Sequence, residues 1–216
     1  MKIELSPTEA RVIGCFIEKE LTTPDQYPLS LNALTNACNQ KTNRDPVMEL
    51  DDAAVQSTID SLQKKHLVFD RSGFGSRVTK YQHRFCGTEF SELKLTPQER
   101  GVVCVLLLRG AQTAGELRTR TNRLCEFADS DAVDRVLEGL IARDSGPLVA
   151  RLARSPGERE SRYMHLFCGA IESAPASPRD APVPSVASDP SLAQRVGQLE
   201  RDIAALRAEL EDLRSR

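Results

Sequence analysis

An ordered internal repeat constrains this chain more than any other feature, because a duplicated unit fixes the architecture before single residues are weighed. Leu5-Ser6-Pro7-Thr8-Glu9 returns as Leu95-Thr96-Pro97-Gln98-Glu99, 90 positions later. Ser30 to Leu34 is echoed by Thr113 to Leu117 at an offset of 83, and Thr42-Asn43-Arg44 by Thr121-Asn122-Arg123 at 79. Ala54-Val55 with Ile59 and Leu62 matches Ala132-Val133 with Leu137 and Leu140 at 78. Tyr81-x-His83-x-Phe85-Cys86-Gly87 returns as Tyr163-x-His165-x-Phe167-Cys168-Gly169 at 82. The order is kept and the offsets drift only by loop-sized amounts. The chain of 216 residues, 40% apolar and 28% charged, is long enough for one large or two small cores.

Each copy reads as three helices and a hairpin. Ser6 and Thr96 are N-caps, Pro7 and Pro97 take the first helical position, and Glu9 and Glu99 close capping boxes. Apolar residues follow at helical spacing: Ala10, Ile13, Ile17 and Leu21, then Val102, Leu106 and further leucines. Second helices start at Ser30 and Thr113. Third helices span about 51–66, with Val55, Ile59 and Leu62 on one face, and about 130–143; Asp51 and Ser130 are their expected caps. The period then changes. Strands are expected at 67–69 and 78–85, around the turn 72–76, and at 148–151 and 161–167, around the turn 155–158. Three helices followed by a two-stranded hairpin is the order of a winged helix. The expected fold class is therefore mainly α with small β-hairpins (α+β). Its parts are winged-helix domains at 1–90 and 91–169, a Pro/Ala/Ser-rich disordered linker at 170–190 and a coiled-coil helix at 191–216.

The tail carries a second periodicity. Leu192, Val196, Leu199, Ile203, Leu206, Leu210 and Leu213 alternate spacings of 4 and 3, with Val196, Ile203 and Leu210 at position a and leucines at d. In a parallel pair of such helices, Arg195 faces Glu200, Asp202 faces Arg207 and Glu209 faces Arg214, all attractive. The expectation is a homodimer through this seam; the plainer alternative is a helix that packs back on its own domain. The linker's five prolines forbid a long helix there.

Charge does not announce a partner. Net charge is −2, residues 1–90 carry 11 Lys+Arg against 12 Asp+Glu, and residues 91–169 carry 12 against 11. The third helices lean acidic, with Asp51, Asp52 and Asp60 against Lys64 and Lys65 in one, and Asp129, Asp131, Asp134, Glu138 and Asp144 against Arg135 and Arg143 in or beside the other. A carboxylate row repels phosphate. Positive charge is local: Lys41 and Arg44, with the neutral amide of Asn43 between them, before the first third helix, Arg71, Arg77 and Lys80 on the first wing, and Arg118, Arg120 and Arg123 before the second third helix. These are the candidate nucleic-acid contacts. The competing reading is that they cap helices and pair with nearby aspartates such as Asp45 and Asp129.

No catalytic or metal-binding set stands out, and no cofactor is expected. The six cysteines at 15, 38, 86, 104, 125 and 168 form no C-x-x-C pair and read as buried thiols. His83 with Cys86, or His165 with Cys168, lie three apart on a strand and so point to opposite faces. Tyr, His and Phe on the alternate positions read as core. Gly73-x-Gly75 precedes no helix and is a wing turn. The strictly apolar run Val102 to Leu108 falls far short of a membrane span, and MKIELSPTEA lacks a signal-peptide core, so a cytoplasmic protein with no membrane contact is expected.

Leu5 to Gly14, Asn39 to Val47 and Ser76-Arg77-Val78-x-Lys80-Tyr81-x-His83 together resemble the YceH-like family of bacterial proteins over about 1–169. The resemblance implies tandem winged-helix domains in a cytoplasmic protein, and it brings no catalytic or binding residues with it. The expected function is that of a non-enzymatic protein bound to double-stranded DNA, a regulator. The alternative is a protein–protein module whose winged-helix surfaces bind a partner, as in chromosome-segregation complexes.

Overall fold

The computed structural model describes residues 3–71, 78–87, 91, 93–154 and 160–169. The helix starts follow from their caps. The Ser6 hydroxyl accepts from the Glu9 amide and the Glu9 carboxylate accepts from the Ser6 amide, which closes the first turn of α1 (Pro7–Thr22). Thr96 and Glu99 do the same for α4 (Pro97–Arg109). Each box satisfies two amides that a helix start otherwise leaves open. Ser30 caps α2 (Leu31–Cys38), Thr113 caps α5 (Ala114–Thr121) with Glu116 completing a third box, and Asp51 caps α3 (Asp52–Lys64). The cap of α6 (Ser130–Ile141) is Asp129 rather than Ser130: its carboxylate accepts from the Ala132 amide at 2.7 Å. A carboxylate at that place also meets the positive end of the helix dipole.

Behind each third helix lies a hairpin. β2 (Val68–Asp70) pairs with β3 (Lys80–His83), and β5 (Val149–Arg151) with β6 (Arg162–His165). Each hairpin gains a third strand from the residues just before the second helix. These are β1 (Leu29–Ser30) and β4 (Gln112–Thr113), and the antiparallel orders are β1-β3-β2 and β4-β6-β5. The register repeats between copies: Leu29 lies opposite Tyr81 and Gln112 opposite Tyr163, while Val68 faces His83 and Val149 faces His165. The described residues thus form a mixed α/β structure of six α-helices and two small sheets, in the same order twice.

The buried apolar residues of the two copies form one continuous cluster. α1 and α4 share the most extensive contact between elements. That explains why Val102 to Leu108 is apolar on every side: one side faces its own copy and the other faces α1. Gly14 permits the close approach, since a Cβ there would lie 2.8 Å from Leu108 Cδ2 and 3.2 Å from Leu107 Cβ. The Cys104 thiol donates to the Gly14 carbonyl at 3.5 Å. Gly14 and Cys104 occupy equivalent places in the repeat. So do Phe85 and Phe167, whose rings meet edge to face at 5.1 Å. The Leu5 amide donates to the Phe167 carbonyl at 2.7 Å. At Gly14 with Cys104 and at Phe85 with Phe167, equivalent residues of the two copies meet across the junction.

Tyr81, His83, Phe85, His165 and Phe167 are buried, in keeping with a core role for the doubled motif. His83 Nε2 lies 3.2 Å from Glu20 Oε2, and the same oxygen accepts from Arg100 at 3.2 Å. His165 Nδ1 is buried with no hydrogen-bond partner among the described residues, and burial pushes the pKa of the ring down to about 4. Four cysteines are buried, Cys125 is half-buried and Cys168 is exposed. No helix among the described residues is long and apolar enough to cross a membrane. The linker at 170–190 and the seam from Leu192 to Leu213 lie outside the described residues.

Candidate nucleic-acid interface

The arginines of the two equivalent turns do not both face outward. Arg44 is buried, and every N–H of its guanidinium is used. Nε donates to the Ala37 carbonyl at 3.0 Å. One terminal nitrogen donates to Glu18 Oε1 at 3.0 Å and to the Asn43 carbonyl at 2.9 Å; the other reaches Glu18 Oε2 and Gln40 Oε1. This corrects the expectation of a phosphate contact: Arg44 is a structural cation whose partner is neither Asp45 nor Asp129 but the buried carboxylate of Glu18. Arg123, its equivalent in the second copy, reaches across the junction to the same carboxylate while staying 40% exposed. Burial by itself pushes the Glu18 carboxyl up, but the Arg44 hydrogen bonds and the charges of Arg44 and Arg123 hold it below the usual carboxylate range.

The remaining candidates sit closer to solvent. Lys41, Arg71, Lys80 and Arg118 are exposed, and among the described residues none of them enters an ion pair. Arg71 donates to Gln82 Oε1 at 3.4 Å and Arg118 to the Ser130 hydroxyl at 3.3 Å, both neutral partners. Arg120 is held by Glu116 at 3.1 Å, one turn back on α5. Asn43 is half-buried in the left-handed region at φ 59°, which asparagine tolerates. Arg77 lies outside the described residues. On the second hairpin, Arg151 and Arg154 are likewise exposed without an ion pair among the described residues, whereas Arg162 is held by Glu116 at 3.4 Å. The solvent faces of the third helices lean acidic, with Asp52 and Asp60 against Lys64 on α3, and Asp131, Asp134 and Glu138 against Arg135 on α6.

Three further residues were not visible as site residues in sequence. Glu18 sits among apolar neighbours on a helix that is buried on opposite sides, so spacing alone makes it look like a surface position. Arg11 is 2% exposed and donates to the Cys38 carbonyl at 3.1 Å and the Pro46 carbonyl at 2.6 Å, with no carboxylate partner among the described residues. Burial pushes its pKa down. Arg109, the last residue of α4, donates to Asn43 Oδ1 at 2.7 Å.

The family model described as "Protein of unknown function, DUF480" matches residues 5–158, well over half of the chain. The chain belongs to the DUF480 family. Its similarity to curated DUF480-type relatives runs the full length: a UPF0502 protein of Serratia proteamaculans is 58% identical over 216 residues, covering 100% of this chain and 98% of its own. One from Vibrio parahaemolyticus is 58% identical over 215 residues, 100% and 97% of the two chains. One from Vibrio cholerae is 64% identical over 174 residues, 81% of each. The motifs at 5–14, 39–47 and 76–83 point to a bacterial family, and that much is shown, under the description DUF480 rather than the YceH-like name.

Proposed function

We propose that each copy is a winged helix and that the chain is a non-enzymatic DNA-binding protein which grips the duplex backbone with its hairpins and turns, not with its third helices. The observation that carries this reading is the sorting of charge. Lys41, Arg71, Lys80, Arg118, Arg151 and Arg154 are exposed without a carboxylate partner among the described residues, while the outer faces of α3 and α6 carry carboxylates. Cations of this kind bind phosphate and position a protein without reading bases. The heptad seam would join two chains and raise apparent affinity through effective concentration.

Fluorescence anisotropy with a labelled duplex of random sequence tests it. The logarithm of the association constant should fall with the logarithm of salt with a slope of about −3 or steeper, since each neutralised phosphate contributes about −0.9. A flat response, or no binding at low salt, rejects the reading. A second reading, a protein–protein module, is favoured by one specific feature. Phe127, Ala132, Val136 and Gly139 line an open groove between α6 and the start of α4, rimmed by Glu99, Glu126 and Arg135.

A further inference from the structure

The two copies meet at a knot of arginines that carries more positive charge than its partners balance. Arg123 and Arg44 share Glu18. Arg44 donates onward to the Asn43 carbonyl at 2.9 Å, and the Asn43 side-chain oxygen accepts from Arg109 at 2.7 Å. Three guanidinium groups from three segments are therefore linked through one carboxylate and one neutral amide. Arg120 stands in the same neighbourhood but is held by Glu116. Arg109 is half-buried, and among the described residues its hydrogen-bond partner is the uncharged Asn43. Burial, then Arg120 and Arg123, depress its pKa; Asp45 works the other way, and Arg44 depresses it further. Exposed Lys41 lies two residues before Asn43 in the chain, and exposed Arg118 five before Arg123.

An asymmetry between the copies makes this arrangement. In the repeat, Arg109 corresponds to Lys19 and Leu108 to Glu18. The first copy thus supplies the Glu18 carboxylate, and the second supplies an arginine that enters no ion pair among the described residues and has the charge of Asp45 nearby.

We infer that this junction is an oxyanion site for a phosphodiester of the duplex backbone, with Arg109 and Arg123 as its ligands, so that one DNA molecule is held by both copies at once. The inference rests on the DNA-binding reading above and adds to it a place and a partner group. A phosphate fits the chemistry: forked guanidinium donors match its oxygens, and the anion would supply the charge that Asn43 cannot. Glu18 keeps two of the arginines in position whether or not the anion is present.

Two variants and one control test it, all in the full-length chain and with the same labelled random duplex. Arg109→Gln keeps a donor toward Asn43 and removes the charge. It should weaken binding roughly threefold to tenfold at low salt and make the salt slope shallower by about 0.9. Asn43→Asp keeps every cation and places a carboxylate against Arg109; aspartate tolerates the left-handed backbone. It should weaken duplex binding and raise the melting temperature together, an opposition that mere loss of folding cannot produce. Lys80→Gln, on the hairpin, is the control. If Lys80→Gln weakens binding while both junction variants bind as wild type, the junction site is overturned and the DNA reading stands. If the unaltered protein binds no duplex, both fall.

Discussion

Glu18 shows how one residue can decide the meaning of two others. Its side chain and that of Arg44 are both fully buried. Removing one partner of a buried pair leaves the other charge without compensation, which costs about 3–5 kcal/mol. Glu18→Gln is therefore expected to destabilise the protein by about that amount in urea unfolding. The pH dependence has a definite sign. The folded carboxyl is held below its ordinary value, so its stabilising effect is complete above the unfolded carboxylate pKa and is lost as pH falls through the lower folded value. Glu18→Gln should accordingly flatten the acid limb of a stability-versus-pH curve; an unchanged limb would show that the pair is not coupled to folding. At this scale the sequence was only partly legible. Lys41, Lys80, Arg71 and Arg118 are as exposed as their polar surroundings imply. Arg44 reads the same way in sequence, yet its partner lies 26 positions earlier on a helix, and no local spacing reveals such a pairing.

At the scale of elements, legibility followed the range of the forces involved. Helix caps act within three residues, and five of the six helices start on a cap legible in the chain or its repeat: Ser6, Thr96, Ser30, Thr113 and Asp51. The cap of α6, Asp129, lies one residue before the expected Ser130. β1 and β4 were not seen, because two residues cannot display an alternation and exist as strands only through pairing with β3 and β6. The packing of α1 on α4 also escaped, though Gly14 was its one local trace. Replacing Gly14 with valine would force a side chain against Leu108 Cγ, which a Cβ alone would approach to 2.9 Å. Neighbours on two packed helices would have to move, and overpacking of this kind costs about 1–3 kcal/mol. Thermal unfolding of Gly14→Val should show a loss of that order. A wild-type melting temperature would mean that the helices have more room than their contact implies.

For the whole molecule, the repeat was the most informative signal, and the structure gives it physical form: the same order of helices and strands twice, with equivalent residues touching at Gly14 and Cys104 and at Phe85 and Phe167. What the repeat could not tell was whether the copies would stand apart or share an interior. The assembly of two chains is argued from the heptad seam alone. Leu199→Asp with Ile203→Asp places charge at adjacent d and a positions, so the double variant should sediment as a monomer where the unaltered chain sediments as a dimer. An unchanged mass would assign any dimer contact elsewhere.

The shared interior has a consequence for how this protein can vary. A helix buried on opposite sides belongs to two neighbourhoods at once, so α1 and α4 cannot be altered on behalf of one half alone. Each half-protein, cut free, would bare an apolar flank that only its sibling fits. A change on the shared side of either helix is thus felt in both halves, which answer to each other's mutations.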